Sequence, residues 1–305
     1  MQNHQNQGVQ KRFIYSIILT GLILVAEIIG GIWSGSLALL SDAAHVFSDI
    51  FALGLSYLAL LLANRPPDDQ HSFGWHRAEV LAALFNGVSL LVIAISIWVE
   101  AFKRLQSPVE IRSLDMMVIA IIGLLVNVAV AFILGGHDHQ HEGEKRKGQR
   151  NLNVHSAYLH VIGDLISSVG VIIAAILIRI TSITWIDPLV SVLIGIIILV
   201  SAYRVTRSSL HILIEGVPEG LSIKEINESI RSVKDVETVH DLHVWSLCSE
   251  HISLSAHVVL VGENSPSQSQ VLDEIKTLLD NEYGIQHTTL QFELSPCGVG
   301  HGGCN

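Results

Sequence analysis

The sequence predicts an α-helical membrane protein with six transmembrane helices, followed by a small soluble α+β domain with the order α-β-β-α-β. Three observations carry this. Of 305 residues, 50% are apolar and only 15% charged, and the mean hydropathy is positive. Six apolar stretches each approach the roughly 20 residues that a bilayer demands. Beyond Arg207 the pattern changes to amphipathic helices and alternating strands.

The six stretches are Phe13 to Trp33, Leu37 to Ala63, Glu79 to Phe102, Leu114 to Leu134, His155 to Thr181 and Asp187 to Arg204. The first is long enough to span and lacks a small-residue cleavage pattern after a short apolar core, so it reads as a retained helix. Asp187 followed by Pro188 reads as an N-cap and a first-turn residue of the sixth. Lys11, Arg12, Arg65, Arg77, Lys145, Arg146, Lys147, Arg150, Arg204 and Arg207 fall on the side shared by the N-terminus and everything after the sixth span. Lys103, Arg104, Arg112 and Arg179 fall opposite. The majority side is expected to be cytoplasmic, with the spans in the cell's inner (plasma) membrane and both termini in the cytoplasm. The expected domains are a cytoplasmic segment 1–12, a membrane domain 13–206 with a polar loop 135–154, and a cytoplasmic domain 207–305.

In the soluble part, Ser222-x-x-Glu225 is a capping box, and Ile223, Ile226, Ile230 and Val233 follow at helical spacing. Val236 to Leu247 and Ile252 to Val261 read as strands, the second by alternation of Ile252, Leu254, Ala256, Val258 and Leu260. A helix carrying Leu272, Ile275, Leu278 and Leu279 stops at Gly284, before a strand with Leu290, Phe292 and Leu294.

Two copies of His-x-x-x-Asp lie inside membrane-length stretches: His45 with Asp49, and His160 with Asp164. This spacing puts each pair on one helix face, so two facing helices present two imidazoles and two carboxylates to one point. Zinc is held by such nitrogen and oxygen ligands at about 2.0 to 2.2 Å, usually four in tetrahedral array. Two carboxylates also balance the charge of a divalent ion and leave none to desolvate. A histidine that only hydrogen-bonds within a helix bundle is the plainer alternative. It does not explain the repeat, because each intramembrane Asp costs about 2.5 to 3.5 kcal/mol on insertion scales.

A net charge of -10 argues against a nucleic-acid partner. The three cysteines, Cys248, Cys297 and Cys304, fall late in the chain, and their odd number suits free thiols or metal ligands better than disulfides. His137, His139 and His141 alternate in the polar loop. Such tracts capture metal weakly, or are simply solvated.

These landmarks resemble the cation diffusion facilitator family, in its zinc-exporting branch. The resemblance rests on Ser36-Leu-Ala-Leu-Leu-Ser-Asp-Ala-Ala-His45-x-x-x-Asp49, Phe73-Gly-Trp-x-Arg-Ala-Glu79, Ala157-x-x-His160-x-x-x-Asp164, Asp187-Pro188 and Val239-His-Asp-Leu-His-Val-Trp245. It implies a homodimer that exchanges zinc for protons by alternating access, with a ferredoxin-like cytoplasmic domain that helps dimerisation. It also places the transport site on His45, Asp49, His160 and Asp164. Members with His at the first of these positions are similar to zinc-preferring transporters that discriminate against cadmium. An imidazole suits a small tetrahedral site, whereas a carboxylate is less demanding of size.

The resemblance implies further sites. Asp68 and His71 match a second metal site between spans two and three, where Trp75 replaces a histidine and His76 follows; a solvated acidic turn is the alternative. His240, His257, Glu293 and Cys297 resemble cytoplasmic-domain zinc ligands, with Cys304 and His301 in a Gly-rich tail that could complete them. Arg77 and Glu215 look like partners in an interdomain charge pair.

Three rivals share these residues. A cobalt, cadmium or iron transporter would use the same ligands. An intramembrane zinc enzyme would need an open coordination position and a general base, and no His-Glu-x-x-His sequence occurs. A membrane-anchored sensor would need only one helix.

Overall fold

A computed structural model describes residues 2–63, 65–135, 165–248, 251–261 and 268–293. His137, His139, His141, His160, Asp164, Cys297, His301 and Cys304 lie outside them. The helices are α1 (Gln2–Ser34), α2 (Leu37–Ala63), α3 (Arg77–Gln106), α4 (Ser113–Gly135), α5 (Leu165–Thr181), α6 (Ile186–Leu213), α7 (Ile223–Arg231) and α8 (Gln268–Tyr283). The strands are β1 (Val236–Ser246), β2 (Ile252–Leu260) and β3 (His287–Glu293). Among the described residues, α2, α3, α4 and α6 are long and apolar enough to cross a membrane, and Ile18–Ser34 and α5 form shorter apolar helices. The expected fifth span begins at His155, outside the described residues.

The chain divides into two units, Met1–Leu55 with Asn86–Arg204, and Ser56–Phe85 with Val205–Asn305. In the first, Leu39, Leu90, Met116, Val171 and Ile198 form a core with Ala94, Ala120, Ala174, Ala175 and Ala202. Alanines at the contacts let helix backbones approach closely, the means by which helices associate where lipid removes any hydrophobic preference. At Gly123 of α4 a Cβ would collide with the buried carboxylate of Glu27 on α1. Outward positions carry large apolar side chains, among them Leu22, Ile32, Val92, Leu125 and Ile180.

One expectation is corrected in this unit. Asp187 does not precede α6 but lies in its first turn. Its carboxylate caps α2 instead, accepting from the N–H groups of Leu37 (2.7 Å) and Ala38 (3.1 Å) and the hydroxyl of Ser36 (2.6 Å). A helix start inside a bundle has orphan N–H groups with no water to satisfy them, so a buried acid from another helix takes the role. Arg104 of α3 lies 3.9 Å from the same carboxylate and 3.1 Å from Glu100. Its positive charge is therefore matched within the fold.

In the second unit β1 and β2 pair antiparallel and β2 and β3 parallel, in the order β1-β2-β3. The parallel pair requires a crossover, and α8 supplies it. Ile226 and Ile230 of α7 and Val271, Ile275 and Leu279 of α8 pack on Val239, Val244, Leu254, Ala256 and Val258, so both helices cover one sheet face. The capping box forms through the Glu225 N–H donating to Ser222 Oγ at 3.4 Å. Strand alternation then turns His240, His257, Gln291 and Glu293 to the other face.

Candidate functional site

On α2 the i, i+4 spacing does what helix geometry demands: His45 Nε2 and Asp49 Oδ2 lie 4.0 Å apart, with both side chains partly shielded. One turn earlier Asp42 is buried, and its carboxylate accepts hydrogen bonds from Ser167 and from Ser168 (3.1 Å), both on α5. Asp42 thus ties α2 to the helix whose first described residue follows Asp164. Asp42 stands within the Ser36–Asp49 motif, but no spacing rule marks it as a partner of α5. Glu27, equally deep, has two carboxylate oxygens with no hydrogen-bond partner.

In the 65–76 loop, Asp68 Oδ1 accepts from the backbone N–H of Gln70 (2.9 Å) and of His71 (2.7 Å), and lies 3.0 Å from His71 Nδ1. The His71 side chain, and then the Gln70 N–H, hold the Asp68 carboxyl below its ordinary range. The His71 ring packs on Trp75, centroids 4.0 Å apart. The structure does not bring His76 into this group. Ala78 N–H donates to Trp75 O and Glu79 N–H to His76 O, the i to i+3 pattern that turns successive side chains about 120° apart. Trp75 therefore faces His71, and His76 faces the ring of His251 at 4.5 Å.

Arg77 Nη2 and Glu215 Oε1 lie 3.0 Å apart. Both side chains are substantially exposed, so the pair contributes about 0 to 1 kcal/mol. They stand beside a cavity of about 1180 Å³ whose lining also includes Phe73, Leu242 and Trp245.

On the sheet face opposite α7 and α8, His240 lies directly across from His257, with ring centroids 5.1 Å apart. Glu293 reaches both: Oε2 is 3.1 Å from His240 Nε2, and Oε1 is 2.8 Å from His257 Nδ1. One donor atom from each of the three lies within 4.8 Å of the others. Two imidazoles and a carboxylate are a donor set that zinc accepts. A β-bulge between His240 and His243, with Asp241 at φ 51°, turns Asp241 toward the site. Its carboxylate lies 3.8 Å from His257 Nε2 and 3.0 Å from His243 Nε2. The motif carrying His240 contains Asp241 as well, but only the bulge reveals its direction.

An apolar helical unit with paired His and Asp, joined to a small α+β unit with a metal-capable sheet face, defines a membrane metal-transport protein. The chain matches the cation efflux transmembrane domain over residues 13–214 and the cation efflux protein cytoplasmic domain over residues 218–295. It belongs to the cation efflux family. It is 41% identical to the metal cation efflux system protein CzcD of Cupriavidus metallidurans, over 97% of this chain and 90% of that one. It is 40% identical to the cadmium, cobalt and zinc/H(+)-K(+) antiporter of Bacillus subtilis, over 96% of this chain and 92% of that one. It is 39% identical to the zinc transporter ZitB of Escherichia coli, over 94% and 88% respectively. A solved structure of the metal-bound C-terminal domain of CzcD matches 24% of this chain and 100% of its own, at 36% identity and a TM-score of 0.23.

Proposed function

We propose that the chain exports zinc from the cytoplasm in exchange for protons, through a site made by His45, Asp49, His160 and Asp164 within six membrane spans. The observation that carries this is the Asp42 tie to Ser167 and Ser168. It holds α2, with one His-x-x-x-Asp pair, beside the helix that continues the chain from the second pair. The relatives named as a zinc transporter and as a cadmium, cobalt and zinc antiporter support both cargo and coupling.

Zinc binds deprotonated ligands, so proton and metal compete for the same imidazoles and carboxylates. Metal loads from the cytoplasm; when the site opens to the other side, protons displace it and are carried back. Zinc is the cargo here. A resident zinc on His240, His257 and Glu293, with Cys297 and Cys304 as further donors, would brace the cytoplasmic domain of a homodimer. The matched cytoplasmic-domain family supports that assembly.

Zinc flux in reconstituted vesicles with an imposed proton gradient tests the scheme. Flux should rise when the gradient drives protons opposite to zinc, and fall to background in Asp49→Ala. Flux indifferent to the gradient would reject antiport, and normal flux in Asp49→Ala would reject the site.

A further inference from the structure

A second cluster of metal-capable side chains among the described residues stands apart from both sites above. His76, immediately before α3, meets Cys248 and His251, which lie in the connection between β1 and β2. One donor atom from each of the three lies within 4.8 Å of the others. Cys248 Sγ is 3.2 Å from His251 Nδ1, and the rings of His76 and His251 pack at 4.5 Å. We propose that His76, Cys248 and His251 form a zinc-class metal site that staples the segment entering α3 to the β1–β2 connection.

The donor set argues for this chemistry. One thiolate and two imidazoles favour zinc or cobalt over magnesium or calcium, which take oxygen ligands. Zinc bonds of about 2.3 Å to sulfur and 2.0 to 2.1 Å to nitrogen hold tetrahedral donors about 3.5 Å apart. Donors within 4.8 Å of one another reach that spacing with a closure of at most about 1.3 Å, which histidine side-chain torsions supply.

The backbone already fixes two of the three ligands. The Leu247 N–H donates to His251 O at 2.9 Å, closing the turn that sets Cys248 and His251 side by side. Cys248 is a free, buried cysteine, while His251 is exposed, so a water can complete the coordination from the open side. The third ligand comes from a distant part of the chain, between the second and third helices. A metal here would therefore resist separation of that segment from the sheet, which the Cys248–His251 hydrogen bond, lying wholly within the connection, does not do.

Cobalt reports the site, because a cobalt–thiolate bond adds charge-transfer absorption in the near ultraviolet. The test uses the full-length protein with Cys297 and Cys304 changed to serine, so that only Cys248 can give that signal. The band should appear on cobalt titration, be displaced by zinc, and vanish in Cys248→Ser. Because Cys248 is buried and its replacement could disturb folding, His76→Gln and His251→Gln provide the second measurement. Each should weaken cobalt binding roughly tenfold or more. The band should persist in Asp49→Ala, which removes the transport site, and in Glu293→Gln, which weakens the other sheet cluster. No band in the two-serine background, or full affinity in either histidine variant, would overturn the site; loss of the band in Asp49→Ala or Glu293→Gln would show that Cys248 binds cobalt together with that residue rather than with the two histidines, and overturn it equally.

Discussion

The carboxylate of Asp187 accepts the backbone N–H of Leu37 at 2.7 Å, so the first turn of α6 caps the first turn of α2. The helix bearing His45 and Asp49 is thus anchored at its start by a residue 150 positions away. Buried hydrogen bonds to a charged group contribute about 1.5 to 3 kcal/mol each. Asp187→Ala leaves the N–H groups of Leu37 and Ala38 and the hydroxyl of Ser36 without their acceptor, and should destabilise the protein by about 2 kcal/mol or more. Thermal unfolding in detergent measures it. An unchanged midpoint would show that the cap is replaceable.

His45→Asp should broaden selectivity toward cadmium, because it exchanges an imidazole for a carboxylate that tolerates a larger ion. Zinc and cadmium fluxes compared in the same vesicles decide this. The expected result is a rise in the cadmium-to-zinc ratio, with zinc transport retained in part.

The hydroxyls of Ser167 and Ser168 donate to Asp42, so replacing both by alanine should act through helix position. Leaving the buried carboxylate without these donors costs about 1 to 3 kcal/mol. Zinc flux should fall several-fold while the preference for zinc over cadmium stays unchanged. A switch in preference would make the serines part of the ion site.

The Asp68 carboxyl lies below its ordinary range because His71 and the Gln70 N–H bind its charged form. A depressed value in the folded state means that the contribution is fully present above the unfolded value and is lost as pH falls through the lowered one. The Asp68–His71 turn should therefore survive neutral and mildly acidic pH and open only beneath the usual carboxylate range. A carboxyl-selective NMR titration of Asp68, with Asp68→Asn to assign the signal, follows it. A midpoint at or above the ordinary value would contradict the contact.

Glu293→Gln should lower zinc retention by the full-length protein, since the carboxylate reaches both His240 and His257. Retention in the wild type should also decline as pH falls, because the imidazoles bind metal only when deprotonated. Equilibrium dialysis against zinc at graded pH checks both outcomes.

Much of this protein is legible along the chain. Apolar length marks spanning helices, and the i, i+4 period alone puts His45 and Asp49 on one face, because a helix has a single pitch. Ser222 and Glu225 announce α7, and alternation announces β2. These are local rules, in which each side chain's direction follows from its nearest neighbours in sequence. Pairings across the chain obey no such rule. Asp187 looked like the cap of its own helix, and it caps α2 because packing buries it where Leu37 and Ala38 lack water. Asp42 became the partner of Ser167 and Ser168 only once α2 and α5 were adjacent, and a bulge aimed Asp241 at His257. His76 was expected beside Asp68 and His71, yet one residue of rotation delivers it to Cys248 and His251. A periodic backbone can be predicted from periodic sequence; which distant polar groups meet depends on how the elements pack to bury their apolar faces.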